Sequence, residues 1–312
     1  MRICSLLPSA TEIVFALGLG DRVVGVTHEC DFPPEARRRP VVTRSAVPED
    51  TPDSRVIHQH IARAVHAGSS IYTLDHARLA ALDPDLILTQ ELCDVCAVSY
   101  AQVTAAVRRL EGPRRVLSLA PTSLEGILTT ILQVGEAAGV PERAQALVAG
   151  LRARIDAITA RAAGRARRPR VVALEWLDPP FVGGHWVPEM VRRAGGQDVL
   201  GPEGRPSTRV SWARIADAAP EVIVLMPCGF DLARTRAALA AADLPPAWRT
   251  LDAVVAGAVY AVDGSAYFNR PGPRIVDGLA ILAEILHPEA FPPTFRGTAW
   301  ERVGADAAAQ TS

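Results

Sequence analysis

Short apolar runs of strand length recur along the chain, at residues 3–7, 23–26, 86–89 and 116–119, separated by helical or turn-rich stretches. That alternation is the pattern of a parallel sheet with covering helices, so the first half is predicted to be one α/β lobe. At Arg170 the pattern restarts. Residues 171–174, 222–226 and 259–262 are predicted strands, with residues 188–194 and 232–242 helical between and after them.

The restart is an internal repeat. Arg2-Ile3-Cys4-Ser5-Leu6 leads through a helix to Gly18-Leu19-Gly20-Asp21, as Arg170-Val171-Val172-Ala173-Leu174 leads to Gly195-Gly196-Gln197-Asp198. Likewise Leu82-Asp83-Pro84-Asp85 precedes one strand and Ala218-Ala219-Pro220-Glu221 another; in each, proline ends a helix and a strand follows. Two copies of one unit predict two similar lobes. The glycines follow helices, where they serve a left-handed C-cap, whereas a dinucleotide loop must follow a strand and open a helix. Residues 142–163 have one glycine, no proline and apolar residues near a 3.6 period, which predicts a single long helix acting as a stiff connector. The expected organisation is a first lobe over 1–121, a connecting helical segment over 122–167, a second lobe over 168–290 and a Pro-rich tail over 291–312 that adds little beyond a strap.

With 312 residues each lobe can bury its own core, so folding needs neither disulfide nor structural metal. A net charge of -1 with no polybasic run excludes nucleic acid and anionic membranes as natural partners, and no apolar run is long enough for membrane insertion. All the basic residues are arginine, which removes any lysine-dependent phosphate loop, Schiff base or general base. The apolar run at residues 3–7 is too short for a secretory signal, so the chain as written is expected to be cytoplasmic, and exported only if translation starts upstream.

Ligands of open parallel sheets bind outside the carboxyl ends of the strands. The loops there carry His28, Cys30, Cys93, Cys96, Trp176, Phe181, His185, Trp186, Cys228, Tyr267 and Phe268. Such a set suits a large, flat, partly apolar ligand, with Phe181, Trp186, Tyr267 and Phe268 either walls for a macrocycle or core. Cys93 and Cys96, placed after a strand and before a predicted helix over 98–110, are candidate ligands for zinc or iron together with His28 and Cys30, a redox pair, or a reduced structural pair. His28 and His185 are candidate axial donors to a chelated metal. His58 and His60 point to different helix faces and read as surface. Glu12 is expected to serve the first turn of a helix capped by Ser9, Trp176 to be core, and no second carboxylate is placed beside Glu12 or Glu175 for acid–base catalysis.

Five stretches, Ser5-Leu6-Leu7-Pro8-Ser9-Ala10-Thr11-Glu12, Gly25-Val26-Thr27 through Asp31-Phe32-Pro33-Pro34, Asp83-Pro84-Asp85-Leu86-Ile87, Asp178-Pro179-Pro180-Phe181 and Asn269-Arg270-Pro271-Gly272-Pro273-Arg274, carry a likeness over residues 1 to about 288. In them the chain resembles the substrate-binding proteins of ABC importers for cobalamin and iron complexes, class III of the periplasmic-binding-protein fold, and most closely the cobalamin branch. The resemblance implies an α/β fold of two Rossmann-like lobes with parallel sheets, joined by a single long rigid helix, and one ligand clamped in the cleft. It implies no enzymatic activity, a corrinoid (cobalamin or a precursor such as cobinamide) as ligand, and contacts from Pro8, Glu29, Gln90, Phe181 and Tyr267, with Glu91 beside them. Glu29 and Gln90 replace aromatic residues of the better-known members, and Ala266 stands where an acidic contact is expected. The family's other partner is an importer permease, but Ala213 occupies the docking-glutamate position, which favours an intracellular corrinoid binder. The alternatives are a metal- or thiol-dependent enzyme built on Cys93, Cys96, His28 and Cys30, or a binder of haem or an iron–siderophore.

Overall fold

The computed structural model describes residues 1–45, 56–57, 72–90, 103, 105 and 114–303, which fall into two compact units. The first holds the described residues of Met1–Asp50, Gln59–Pro121 and Glu125–Leu151; the second holds Val56, Ile57, Thr122–Leu124 and the chain from Arg152 onward.

The first unit is built from β1 (Ile3–Ser5), α1 (Pro8–Ala16), β2 (Val23–Gly25), β3 (Thr43–Ser45), β4 (Tyr72–Leu74), α2 (His76–Leu82), β5 (Leu86–Thr89), β6 (Arg115–Ser118) and α3 (Leu124–Ala137). Its main sheet runs β2-β1-β5-β6, every pair parallel, while β3 and β4 form a separate antiparallel pair. Cys4, Leu6, Ile87, Leu79, Val42 and Leu74 make one buried cluster, so the inward residues of β1 and β5 are sealed by α2 and by the β3–β4 pair. Proline at the first position of α1 starts the helix two residues earlier than a Ser9 cap would allow. Leu7 is therefore the N-cap, Ser9 lies inside the first turn, and Glu12 is buried rather than a capping residue.

Helix α4 (Pro141–Ala163) is the predicted long helix; its residues up to Leu151 belong to the first unit and those from Arg152 to the second.

The second unit contains β7 (Arg170–Leu177), β8 (Pro180–Val182), α5 (Val187–Arg193), β9 (Gln197–Asp198), β10 (Thr208–Arg209), α6 (Trp212–Asp217), β11 (Val222–Leu225), α7 (Leu232–Ala241), α8 (Asp252–Val255), β12 (Val259–Val262), α9 (Gly264–Tyr267), α10 (Ile275–Leu286) and β13 (Trp300–Val303). Its centre repeats the first sheet: β9-β7-β11-β12, all parallel, matches β2-β1-β5-β6. At the edges antiparallel strands are added, β8 and β10 beside the second half of β7, and β13 beside β12.

The repeat extends to single hydrogen bonds. In the first unit Asp85 accepts the Arg2 backbone N–H at 2.7 Å, the Asp85 N–H returns to the Arg2 carbonyl at 2.9 Å, and the Arg2 guanidinium caps the Leu82 carbonyl at the end of α2. In the second, Glu221 accepts from Arg170 N–H at 2.8 Å, returns its own N–H at 2.9 Å, and Arg170 caps Ala218 after α6. Asp83 and Ala219, the residues before the two prolines, both take φ of 42°. The left-handed glycines Gly18 and Gly195, at 72° and 87°, terminate α1 and the helix it matches, α5, as C-caps and not as dinucleotide loops.

The tail differs from expectation. Residues 300–303 pair with the whole of β12, and Phe291 and Trp300 are buried. Glu284, itself buried, accepts hydrogen bonds from Thr294 N–H, Phe295 N–H and Trp300 Nε1 at 2.9, 3.1 and 2.8 Å, which ties the Pro-rich stretch down. Among the described residues no helix is long and apolar enough to cross a membrane.

Candidate functional site

At the carboxyl end of the first sheet, the turn after β1 gives α1 and the turn after β2 gives Thr27-His28-Glu29-Cys30. Hydroxyls organise this corner. Thr11 Oγ1 donates to Ser5 Oγ at 2.9 Å and lies 3.1 Å from Cys30 Sγ, which is also 3.2 Å from Thr27 Oγ1. Cys30 is thus turned inward, 4% exposed, between two threonines. Cys4 is fully buried and its thiol is pushed up to about 12, by burial first and by Cys30 second, so neither cysteine is an available nucleophile.

Beyond Cys30 the loop turns outward. His28 Nδ1 lies 2.8 Å from Thr43 Oγ1, and its ring packs on Tyr72 with centroids 5.4 Å apart. Tyr72 donates its phenolic proton to Glu29 Oε1 at 3.0 Å, which fixes the carboxylate from a strand 43 residues away. Pro8, His28 and Glu29 keep exposed surface, whereas Gln90, after β5, is buried. Glu91, Cys93, Cys96, His58, His60 and all but two residues of the predicted helix over 98–110 lie outside the described residues. Of the metal set only His28 and Cys30 are described, and among the described residues no three His, Cys, Asp or Glu side chains converge as metal ligands.

In the second unit the strands β7, β11 and β12 end in Glu175-Trp176, Pro227-Cys228 and Asp263. Ser207 Oγ donates to Glu175 Oε2 in a short hydrogen bond, Cys228 Sγ donates to Glu175 Oε1 at 3.3 Å, and Gly184 N–H donates to Ser207 Oγ at 3.2 Å. One carboxyl therefore joins the ends of two strands to the segment before β10. Burial pushes Glu175 above the ordinary carboxylate range, and the Ser207 and Cys228 hydrogen bonds only partly offset it. Asp263 caps α9 through Ala266 N–H at 2.7 Å and is likewise raised, by burial first.

Aromatic side chains lie on the same strand ends and on the segments that follow them. Trp176 stands edge-on to Phe230 at 5.4 Å and is half-buried, not the core residue expected, with Phe181 opposite it across the β7–β8 pairing. Tyr267 is half-buried, with the Arg274 guanidinium 5.6 Å above its ring. Phe268 is 0% exposed, so it is core and not a ligand-facing wall. Trp186 is 6% exposed and donates Nε1 to the Phe268 carbonyl at 2.8 Å, so it too is core and not a ligand-facing wall. His185 has φ of 50°, stacks on Trp186 with centroids 5.6 Å apart, and is held neutral by burial, which lowers its pKa. Sequence reading missed Ser207 and Tyr72, which hold Glu175 and Glu29; hydroxyl residues 32 and 43 positions away leave no local signal.

The arrangement offers hydrogen-bonding groups and aromatic surface at the carboxyl end of each sheet, with the thiols among the described residues buried or bonded to a carboxyl. A family model described as periplasmic binding protein matches residues 3–266. The chain is 26% identical over 297 residues to the uncharacterized ABC transporter substrate-binding lipoprotein YvrC of Bacillus subtilis, covering 93% of this chain and 81% of that one. It is 25% identical over 282 residues to the vitamin B12-binding protein of Vibrio cholerae, covering 89% and 86%. Among solved structures, the periplasmic heme-binding protein RhuT of Roseiflexus sp. RS-1 superposes with a TM-score of 0.67 at 24% identity, over 93% of this chain and 98% of that one, which shows the shared fold. A lipoprotein and a periplasmic protein among these names give no support to the cytoplasmic expectation.

Proposed function

Because the chain belongs to the periplasmic binding protein family, a family of ABC-importer substrate-binding proteins and not an enzyme class, we propose that it captures a corrinoid, cobalamin or a precursor such as cobinamide, for a permease. The observation that carries this reading is the extent of the likeness to the vitamin B12-binding protein: 89% of this chain and 86% of the relative are matched, so the likeness is not confined to one motif. Phe181 and Tyr267 supply flat apolar area for a macrocycle at little entropic cost, and Glu29 supplies an acceptor for amide N–H groups on its rim. Pro8 completes the proposed contacts, while Gln90, named with them by the resemblance, offers a ligand little surface at 8% exposure. Tyr72 keeps Glu29 in place before the ligand arrives, which lowers the ordering cost of binding.

Haem or another iron complex is the second reading, favoured by the fold shared with a haem binder. A spectrophotometric titration with hydroxocobalamin, cobinamide and haemin, followed by gel filtration, separates the two. Stoichiometric co-elution of a corrinoid is expected. Retention of haemin alone would move the assignment to the second reading, and retention of none of the three would remove both.

A further inference from the structure

At the carboxyl end of the second sheet one residue is left out of the strand ladder. β8 pairs with β7 through Leu174↔Val182 and then Trp176↔Phe181, so Glu175 is the extra residue of a β-bulge, with no counterpart on β8. A bulge re-aims its side chain, and here the carboxyl reaches two other segments. It accepts from Ser207 Oγ, just before β10, and from Cys228 Sγ, after β11, at 3.3 Å. The Cys228 backbone N–H also donates to the Glu175 carbonyl at 3.2 Å, which fixes the bulge to the body of the sheet.

On the other side of the bulge lies a two-armed ribbon. Among the described strands β10 pairs with β8 alone, so residues 180–185 and 204–210 form the edge of the sheet. The arms are joined to each other by His185 N–H to the Arg205 carbonyl at 2.6 Å, Gly204 N–H to the His185 carbonyl at 2.9 Å and Val210 N–H to the Pro180 carbonyl at 3.0 Å. They touch at Gly184, where a Cβ would lie 2.3 Å from the Arg205 carbonyl oxygen. Ser207 Oγ sits at this crossing: it accepts Gly184 N–H at 3.2 Å and donates to Glu175. One hydroxyl therefore ties both arms to the bulge. The bulged pairing also carries Trp176 and Phe181, direct cross-strand partners that both keep exposed surface. Partners of an antiparallel pair project on one face, so the two rings form one aromatic surface.

We propose that Glu175 is a positioning residue for ligand capture: through Ser207 it clasps the β8–β10 ribbon to the sheet and holds Phe181 beside Trp176 as a preformed wall. This assignment rests on the reading of Phe181 as a ligand contact and deepens it. A carboxyl suits the task because it gathers donors from residues 32 and 53 positions away on one acceptor group. A wall set before the ligand arrives spares the ordering cost of binding.

The test uses the full chain and the variants Ser207→Ala, Glu175→Ala and Glu175→Gln. Amide hydrogen exchange without ligand reads the clasp. Both alanine variants are expected to exchange the Gly184, His185 and Val210 amides roughly tenfold faster than wild type, the effect of about one lost hydrogen bond on local opening. The β11 amides should keep their protection. Titration with hydroxocobalamin and haemin reads the wall, and both alanine variants are expected to bind the retained probe about tenfold more weakly. Glutamine can accept from one partner and donate to the other, so Glu175→Gln should stay within about threefold of wild type in both readouts. Unchanged ribbon exchange in both alanine variants would overturn the clasp, as would faster exchange spread equally over β11. Faster ribbon exchange with unchanged affinity would overturn the positioning role alone. Wild type that retains neither probe would overturn the ligand reading and the positioning role with it, while the exchange result still decides the clasp.

Discussion

At Glu175 burial and hydrogen bonding pull in opposite directions, and burial wins, so its carboxyl holds a proton to higher pH than in the unfolded chain. The native state then binds more protons than the unfolded one between the ordinary glutamate pKa and the raised one. Its contribution to stability is fully present below that window and is lost as pH rises through it. Glu175→Gln keeps the shape and removes the titration. Urea unfolding at about pH 4 and pH 7.5 should show the variant gaining on wild type at the higher pH; an unchanged difference between the two pH values would show that this carboxyl is not the source. Loop position and side-chain type mark Phe181, Tyr267 and His185 in the sequence, and the family resemblance marks Glu29, as residues for the proposed site. Their partners are not so marked: Tyr72, Ser207 and the burial of Phe268 depend on tertiary packing across 30 or more positions, where neither period nor turn chemistry carries information.

At the scale of elements the duplicated clasp explains why the repeat was legible. An arginine opening the first strand of each unit, a helix-ending proline, and an acid just before the next strand set one parallel pairing by local chemistry, so the same words in the sequence yield the same register twice. Most strand and helix boundaries lie within a residue or two of those predicted, because the glycines and prolines that stop the elements are explicit. The clasp also enforces φ of 42° on Ala219, whose Cβ crowds the neighbouring carbonyl in that region. Ala219→Gly is therefore expected to raise stability by roughly 0.5–1 kcal/mol, the relief of left-handed strain less the added freedom of the unfolded chain. Thermal unfolding of the variant checks this, and a lower midpoint would mean that the site is relaxed.

At the scale of the whole molecule, the tail reads in the sequence as no more than a strap, and its final pairing with β12 is hidden because Trp300-Glu301-Arg302-Val303 has no strong alternation and follows prolines and a glycine. Its order comes from Glu284, so Glu284→Ala, which leaves Thr294, Phe295 and Trp300 donors unpaired, is expected to cost about 2–4 kcal/mol. Limited proteolysis should then cut first within residues 292–299; equal resistance of variant and wild type would assign the strap's order to β13 pairing instead. That pairing also bears on biosynthesis. The strand Val259–Val262 receives one of its two neighbours, β11, before it is made and the other, β13, some forty residues later. While the chain is still emerging from the ribosome, an apolar edge with open N–H and C=O groups stands ready to pair with any other extended segment. Closure of that edge by β13 is what takes the nascent second unit's open, aggregation-prone edge out of play.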